Sequence, residues 1–215
     1  MWKKKFLVVF LILFLPSAAY LLLHTGKNHY RTLAIFGPRD VDASGDTIYH
    51  KLPPFHFTDQ DGHEFSDKNL AGKIHVANFF FATCPDVCPK MNEQFKRAAD
   101  KYEGNADVQF LSYTVNPEHD NVQVLADYKK KLGSSNPNWH FLTGVKDSIY
   151  RLAGDGYLVY AAQGKGAGQF FHSQDLILVD KDMRIRGIYD GLEPKEVDTL
   201  IDEINVLLYE YRDKK

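Results

Sequence analysis

Cys84 and Cys88 are the two cysteines of this 215-residue chain. They lie in Phe79-Phe80-Phe81-Ala82-Thr83-Cys84-Pro85-Asp86-Val87-Cys88-Pro89-Lys90-Met91, after an apolar run and before a helical pattern. If the turn between them is helical, their alpha carbons sit about 6 Å apart, close enough for a disulfide. The same geometry lets two thiolates hold one metal ion. A helix N-terminus stabilises thiolate and lowers the thiol pKa, which favours both uses. Two soft thiolates select copper(I) or zinc. Structural zinc usually takes four protein ligands, and no third cysteine is present. Copper(I) accepts low coordination, so two thiolates and one imidazole would suffice; copper(II) would need added ligands. Three residues separate the cysteines, against two in the common redox motif, which weakens a purely oxidoreductase reading.

The imidazole must come from His24, His29, His50, His56, His63, His75, His119, His140 or His172. His172 is singled out by position. It follows the glycine-rich Gln163-Gly164-Lys165-Gly166-Ala167-Gly168-Gln169 and precedes the strand-like Leu176-Ile177-Leu178-Val179. That glycine-rich segment lacks the strand-before, helix-after context and the Lys-Ser/Thr ending of a phosphate loop. Asp86, between the cysteines, reads either as a carboxylate near the metal or a partner, or as a helix cap. Pro85 and Pro89 stiffen the loop, and Phe79, Phe80 and Phe81 read as core.

The flanking elements must position these groups. Lys73 to Phe81 is β-branched and aromatic-rich and ends in the apolar run Ala77 to Ala82, broken by Asn78, the pattern of a strand buried on both faces. Met91, Phe95, Ala98, Ala99 and Tyr102 then recur at helical spacing, and Gly104-Asn105 ends the helix. Upstream, Phe55-His56-Phe57-Thr58 and His63-Glu64-Phe65-Ser66 flank the turn signal Asp61-Gly62. Downstream come a strand over 108–115, a helix from Asn121 to Leu132, a strand over 139–142 and a helix over 145–153. Residues 157–162 read as extended. The strands Leu176–Val179 and Ile185–Tyr189 and a helix carrying Val197, Leu200, Ile201, Ile204, Leu207, Leu208 and Tyr211 close the chain. Alternating strands and helices, a final hairpin and a dicysteine motif between a buried strand and the first helix make the expected fold α/β and thioredoxin-like, a central mixed sheet flanked by helices. Residues 53–213 are assigned to this domain. Residues 25–52 read as a linker in which Leu33–Phe36 and Thr47–Tyr49 form a short hairpin.

The composition is that of a packed globule, 44% hydrophobic and 25% charged. Twenty-six basic and twenty-eight acidic residues exclude the basic excess of a nucleic-acid binder. At the N-terminus, Lys3, Lys4 and Lys5 precede an apolar run from Phe6 to Leu23. Residues 1–24 thus read as a single-pass membrane anchor with its lysines cytoplasmic. Ser17-Ala18-Ala19 would be the cleavage site of the alternative, a signal peptide. Either reading exports the domain, to the periplasm or cell exterior at a bacterial inner membrane. There, disulfides persist. A single small loop adds little structural constraint, so the cysteine pair reads as chemical.

At these residues the chain resembles the Sco/SenC family of copper-binding, thioredoxin-like cytochrome c oxidase assembly proteins. Thr83-Cys84-Pro85-Asp86-Val87-Cys88-Pro89 is similar to the family's C-P-x-x-C-P core. Val115-Asn116-Pro117-Glu118-His119-Asp120 aligns with its V-D-P-x-x-D segment. His172-Ser173, Leu178-Val179-Asp180 and Gly187-Ile188-Tyr189-Asp190-Gly191 match its C-terminal histidine and closing hairpin. The likeness spans about residues 53–210. It implies that Cys84, Cys88 and His172 bind copper, and that the protein delivers it to the dinuclear copper centre of cytochrome c oxidase subunit II. A thiol–disulfide reductase that keeps that partner's cysteines reduced is the alternative, with Cys84 and Cys88 as its redox pair. Two positions depart from the pattern: Asn116 stands in place of Asp and His119 in place of Arg. His119 is therefore a further candidate ligand, and Asp120 is the carboxylate that remains. A peroxidase-like relative is disfavoured, because no T-x-x-C segment precedes either cysteine.

Overall fold

The structure, a computed structural model, describes residues 5, 10–18, 20, 32–159, 161–163 and 170–212; for 161–163 and 170–172 this is the backbone alone. Residues 1–31 and 32–215 form two compact units. In the first, residues 10–18 are helical. Among the described residues no helix is long and apolar enough to cross a membrane. Most of the expected 1–24 anchor lies outside the described residues.

The second unit opens with the hairpin β1 (Arg39–Val41) and β2 (Thr47–Tyr49). The partner of Thr47–Tyr49 is thus not Leu33–Phe36. The backbone polar groups of that segment are taken elsewhere. Arg186 donates to the carbonyls of Leu33 and Ala34, and Phe36 N–H donates to Ile185 O. Strands β3 (His56–Asp59) and β4 (Glu64–Ser66) form the expected second hairpin, with Gly62 at φ +82° in its turn. Then follow β5 (Ile74–Phe80), α1 (Val87–Lys101), β6 (Val108–Thr114), α2 (Val122–Lys131), β7 (Trp139–Thr143) and α3 (Lys146–Arg151). A π-helical turn at Leu152–Gly156 extends α3. Strands β8 (Ala161–Gln163) and β9 (Phe170–His172) pair with each other. Finally β10 (Asp175–Val179), β11 (Ile185–Asp190) and α4 (Pro194–Arg212) close the chain.

Seven strands form one mixed sheet in the order β11-β10-β5-β6-β7-β3-β4. β5, β6 and β7 are parallel, as short strands separated by helices require, and β10 and β3 flank them antiparallel. All seven residues of β5 are buried, so it is the central strand that its apolar run predicts. Its side chains alternate between two aromatic layers. Phe80 packs on Tyr128 of α2 and Phe141, and Phe95 of α1 packs on Phe110 and Trp139. On the other face Phe79 stacks on Tyr113 and meets Tyr157 edge-on. Fully burying such a phenylalanine contributes roughly 1.5–3 kcal/mol. Helix α1 buries Met91, Phe95, Ala98 and Ala99 along one stripe. Gly104 at φ +80° follows it, and Tyr102 donates to Ile201 O at 2.7 Å, fixing its end to α4.

Candidate metal centre

The chain leaves β5 at Phe80, turns through Ala82 and Thr83, and presents Cys84 before α1 begins. Cys88 is the second residue of that helix. Cys84 is half-buried and Cys88 wholly buried, and no disulfide joins them. The backbone N–H of Cys88 donates to Cys84 Sγ at 3.3 Å. The first cysteine's sulfur thus receives one of the unpaired N–H groups at the helix start. Asp86 stands at the cap position but makes no cap bond; its carboxylate pairs instead with Lys90 Nζ at 2.6 Å. The capping reading of Asp86 is corrected, and the sulfur occupies that role. Burial, with the hydrogen bond to Cys84 next, holds the Cys88 thiol well above its usual range. At Cys88, burial outweighs the helix N-terminus expected to favour thiolate. A metal ion at Cys88 must therefore displace a firmly held proton.

Three further groups brace the loop. Asp120, fully buried, accepts from Ala82 N–H at 2.9 Å and Thr114 Oγ1 at 2.5 Å, while His119 Nδ1 lies 2.8 Å from its other oxygen. It therefore anchors the backbone two residues before Cys84. The Nδ1 of His119 is committed to this carboxylate, which sets the direction of the ring. From α2, Tyr128 reaches the cysteines: burial raises its phenol to about 12, and both thiols add to the rise. Its hydroxyl accepts from Asn92 Nδ2 at 2.9 Å, and Asn92 in turn accepts from Asn78 at 2.8 Å. Asn92 lies one helical turn beyond Cys88. The sequence reading assigned no site role to Tyr128 or Asn92. The available signal was Asn78, the polar interruption in an otherwise apolar strand.

His172 is the last residue of β9, its backbone paired with Ala161; its side chain lies outside the described residues, as do the glycine-rich residues 164–169. The register nevertheless fixes where the chain goes next. Ile177 pairs with Ala77, Leu178 with Val76 and Val179 with His75. β10 therefore begins beside the end of β5, the end from which the cysteine loop emerges. Gly191 sits at the same place. A Cβ there would lie 2.8 Å from both Gln174 O and Met91 Cγ, so only glycine permits this approach. Gly191 thus sits between the segment that follows His172 and the first turns of α1, just beyond Cys88.

A sulfur-rich, partly buried site at the C-terminal end of a central parallel strand, with a histidine-bearing segment entering beside it, invites comparison with known proteins. A family model described as SCO1/SenC matches residues 44–208. The chain belongs to the SCO1/SenC family. It is 30% identical to the SCO1 protein homolog of Bacillus subtilis over 161 residues, covering 74% of this chain and 83% of that protein. Among solved structures it is similar to BsSco, a member of the Sco family of cytochrome c oxidase assembly proteins with a disulfide switch. That match has a TM-score of 0.66 and 29% identity and covers 74% of this chain and 93% of the other. Arabidopsis thaliana ScoI with copper bound matches with a TM-score of 0.60 and 30% identity over 71% and 97% of the two chains. The mixed α/β, thioredoxin-like fold is that of these Sco structures.

Proposed function

We propose that this member of the SCO1/SenC family carries copper(I) on Cys84, Cys88 and His172 and delivers it to the dinuclear copper centre of cytochrome c oxidase subunit II. The single observation that carries the reading is the placement of two cysteine sulfurs within one turn at the start of α1, braced by Asp120. Two thiolates are the donors that a soft monovalent ion prefers, and the chain offers no others. Copper-bound relatives support the choice of ion. Residues 1–24 hold the domain at the outer face of a bacterial inner membrane as a single-pass anchor.

The chain's residues divide the work. Cys84 is the more accessible sulfur and receives the ion first. Cys88 closes the chelate once its proton is lost. The segment carrying His172 enters beside both and supplies the imidazole. The unequal exposure of the two thiols also favours a second reading. Cys84 would attack a partner's disulfide and Cys88 would resolve the mixed disulfide, a reductase that prepares the copper-receiving cysteines. His172→Ala separates the two. In transfer assays to a purified subunit II copper domain, a chaperone loses delivery while its thiol exchange with that domain persists. If His172→Ala delivers copper as well as the parent chain, His172 is not the third ligand; if the parent chain exchanges thiols with that domain but transfers no copper, the reductase reading replaces the chaperone.

A further inference from the structure

A second cluster of metal-ligating side chains lies at the turn that joins β3 to β4, across the sheet from the cysteines. β3 runs antiparallel to β7, so this turn sits where β7 begins, whereas Cys84 follows the end of β5. Asp59, Asp61 and His63 each offer one ligand atom there, all within 4.8 Å of one another. His140, from β7, stands beside this group, outside its 4.8 Å span: its Nδ1 lies 3.9 Å from Asp59 Oδ2, the same distance as His63 Nδ1. The two oxygens of Asp59, a residue only 6% exposed, have different occupations. Oδ1 accepts from the N–H groups of Asp61 and His63, both at 2.9 Å, and holds the turn. Oδ2 takes no hydrogen bond among the described residues, and neither aspartate has a lysine or arginine within ion-pair distance.

His140 points to a ligand independently of the turn. Its Nδ1 is buried and has no hydrogen-bond partner. A buried polar atom left unpaired is destabilising, and 3.9 Å to Asp59 is too long for a hydrogen bond to offset this. The ring is fixed against Phe65, centroids 4.6 Å apart, so the nitrogen cannot easily turn to solvent. Burial, then the nearby Lys129 charge, lower the pKa of this imidazole. Lys129 itself donates to Trp139 O at 2.7 Å.

We propose that Asp59, Asp61, His63 and His140 bind a divalent transition-metal ion of the zinc class, at a site separate from the cysteine pair. Two imidazoles with two carboxylates suit such an ion and are a poor match to copper(I). In a tetrahedral zinc site with bonds near 2.0–2.1 Å, donors lie about 3.3 Å apart. The His63–Asp59 separation of 3.9 Å closes to that value by a small swing of His63, whose side chain is 79% exposed on a hairpin tip, and the equal His140–Asp59 separation closes when the Asp59 carboxylate turns toward the ring. The site would fasten the β3–β4 edge to β7.

The test is zinc titration by calorimetry of the full chain carrying Cys84→Ser and Cys88→Ser, which removes the thiols as competitors. One zinc ion should bind per chain with Kd below about 10 µM and raise Tm. His63→Ala, an exposed change that leaves the core intact, should weaken binding at least about tenfold and abolish the Tm shift. Asp61→Asn should act in the same direction. Absence of saturable zinc uptake in the cysteine-free chain overturns the proposal. So does uptake that His63→Ala and Asp61→Asn leave at the parent affinity.

Discussion

Two fully buried carboxylates, Asp120 and Asp180, sit at opposite ends of the central sheet and are held in opposite ways. Asp180 follows β10 at the end far from the cysteines. Its oxygens take Arg186 Nη1 at 2.9 Å, Arg184 Nε at 3.0 Å and the backbone N–H groups of Asp182 and Arg184. Burial works to raise this carboxyl, but the backbone and guanidinium hydrogen bonds more than reverse it, leaving it below its usual range. Arg186 continues the knot to Glu210 at 2.9 Å and to the carbonyls of Leu33 and Ala34. Asp120, at the cysteine end, has a backbone amide, a hydroxyl and one histidine as partners. No lysine or arginine pairs with it among the described residues. Permanent cations fasten the far end as structure. The near end is held by neutral or titratable donors, which can readjust when a metal displaces a thiol proton. Stability and metal binding should therefore respond to different mutations.

The largest effect is expected at the far end. Arg186→Met removes the guanidinium that joins Asp180 to Glu210, leaving Arg184 on Asp180, and should cost about 3–5 kcal/mol in urea unfolding, while copper(I) affinity of the folded chain stays unchanged. A loss of affinity equal to that at Asp120 would erase the contrast. His75 gives the next effect, also at the far end, where it pairs with Val179. Burial lowers its imidazole from 6.5 to about 3, against a smaller raising influence of Asp180, and its Nε2 contacts Tyr157 Oη at 3.1 Å. Between those pH values the unfolded chain holds the proton and the folded chain does not. Its contribution to stability is therefore intact above pH 6.5 and is lost as pH falls toward 3. The unfolding constant should rise by up to about tenfold per pH unit, and His75→Gln should flatten that dependence between pH 6 and 5. The smallest stability effect is expected at the near end. Asp120→Asn should cost about 1–3 kcal/mol, and it should weaken copper(I) binding while Arg186→Met does not. Equal affinities for Asp120→Asn and the parent would show that the tether to Ala82 does not position the cysteines.

Local patterns made the elements readable at both ends and left the long-range contacts that fasten them hidden. The run into Phe80, the helical spacing from Met91 to Tyr102 and the alternation around Asp61-Gly62 each act within a few residues, and each element formed where expected. The entry of the His172 segment beside the cysteines follows from strand order, which the alternation of elements implies. Asp120 reaches Ala82 across 38 residues, and Arg186 reaches Leu33 across 153. Such contacts leave no periodic trace. That is why Leu33–Phe36 reads as a strand although Arg186 and Ile185 claim its backbone. Asp86 reads as a cap from its position, but the sulfur of Cys84 already receives the N–H of Cys88. His140 resembles any other histidine until its buried, unpartnered Nδ1 is seen beside Asp59.

Copper(I) competition titration of the parent chain, Cys84→Ser, Cys88→Ser and His172→Ala tests the central claim most directly. The parent should bind one ion tightly. Either cysteine change should nearly abolish binding, and His172→Ala should weaken it by about tenfold or more. Parent-like affinity in either cysteine variant would contradict the site itself, and parent-like affinity in His172→Ala would remove the third ligand.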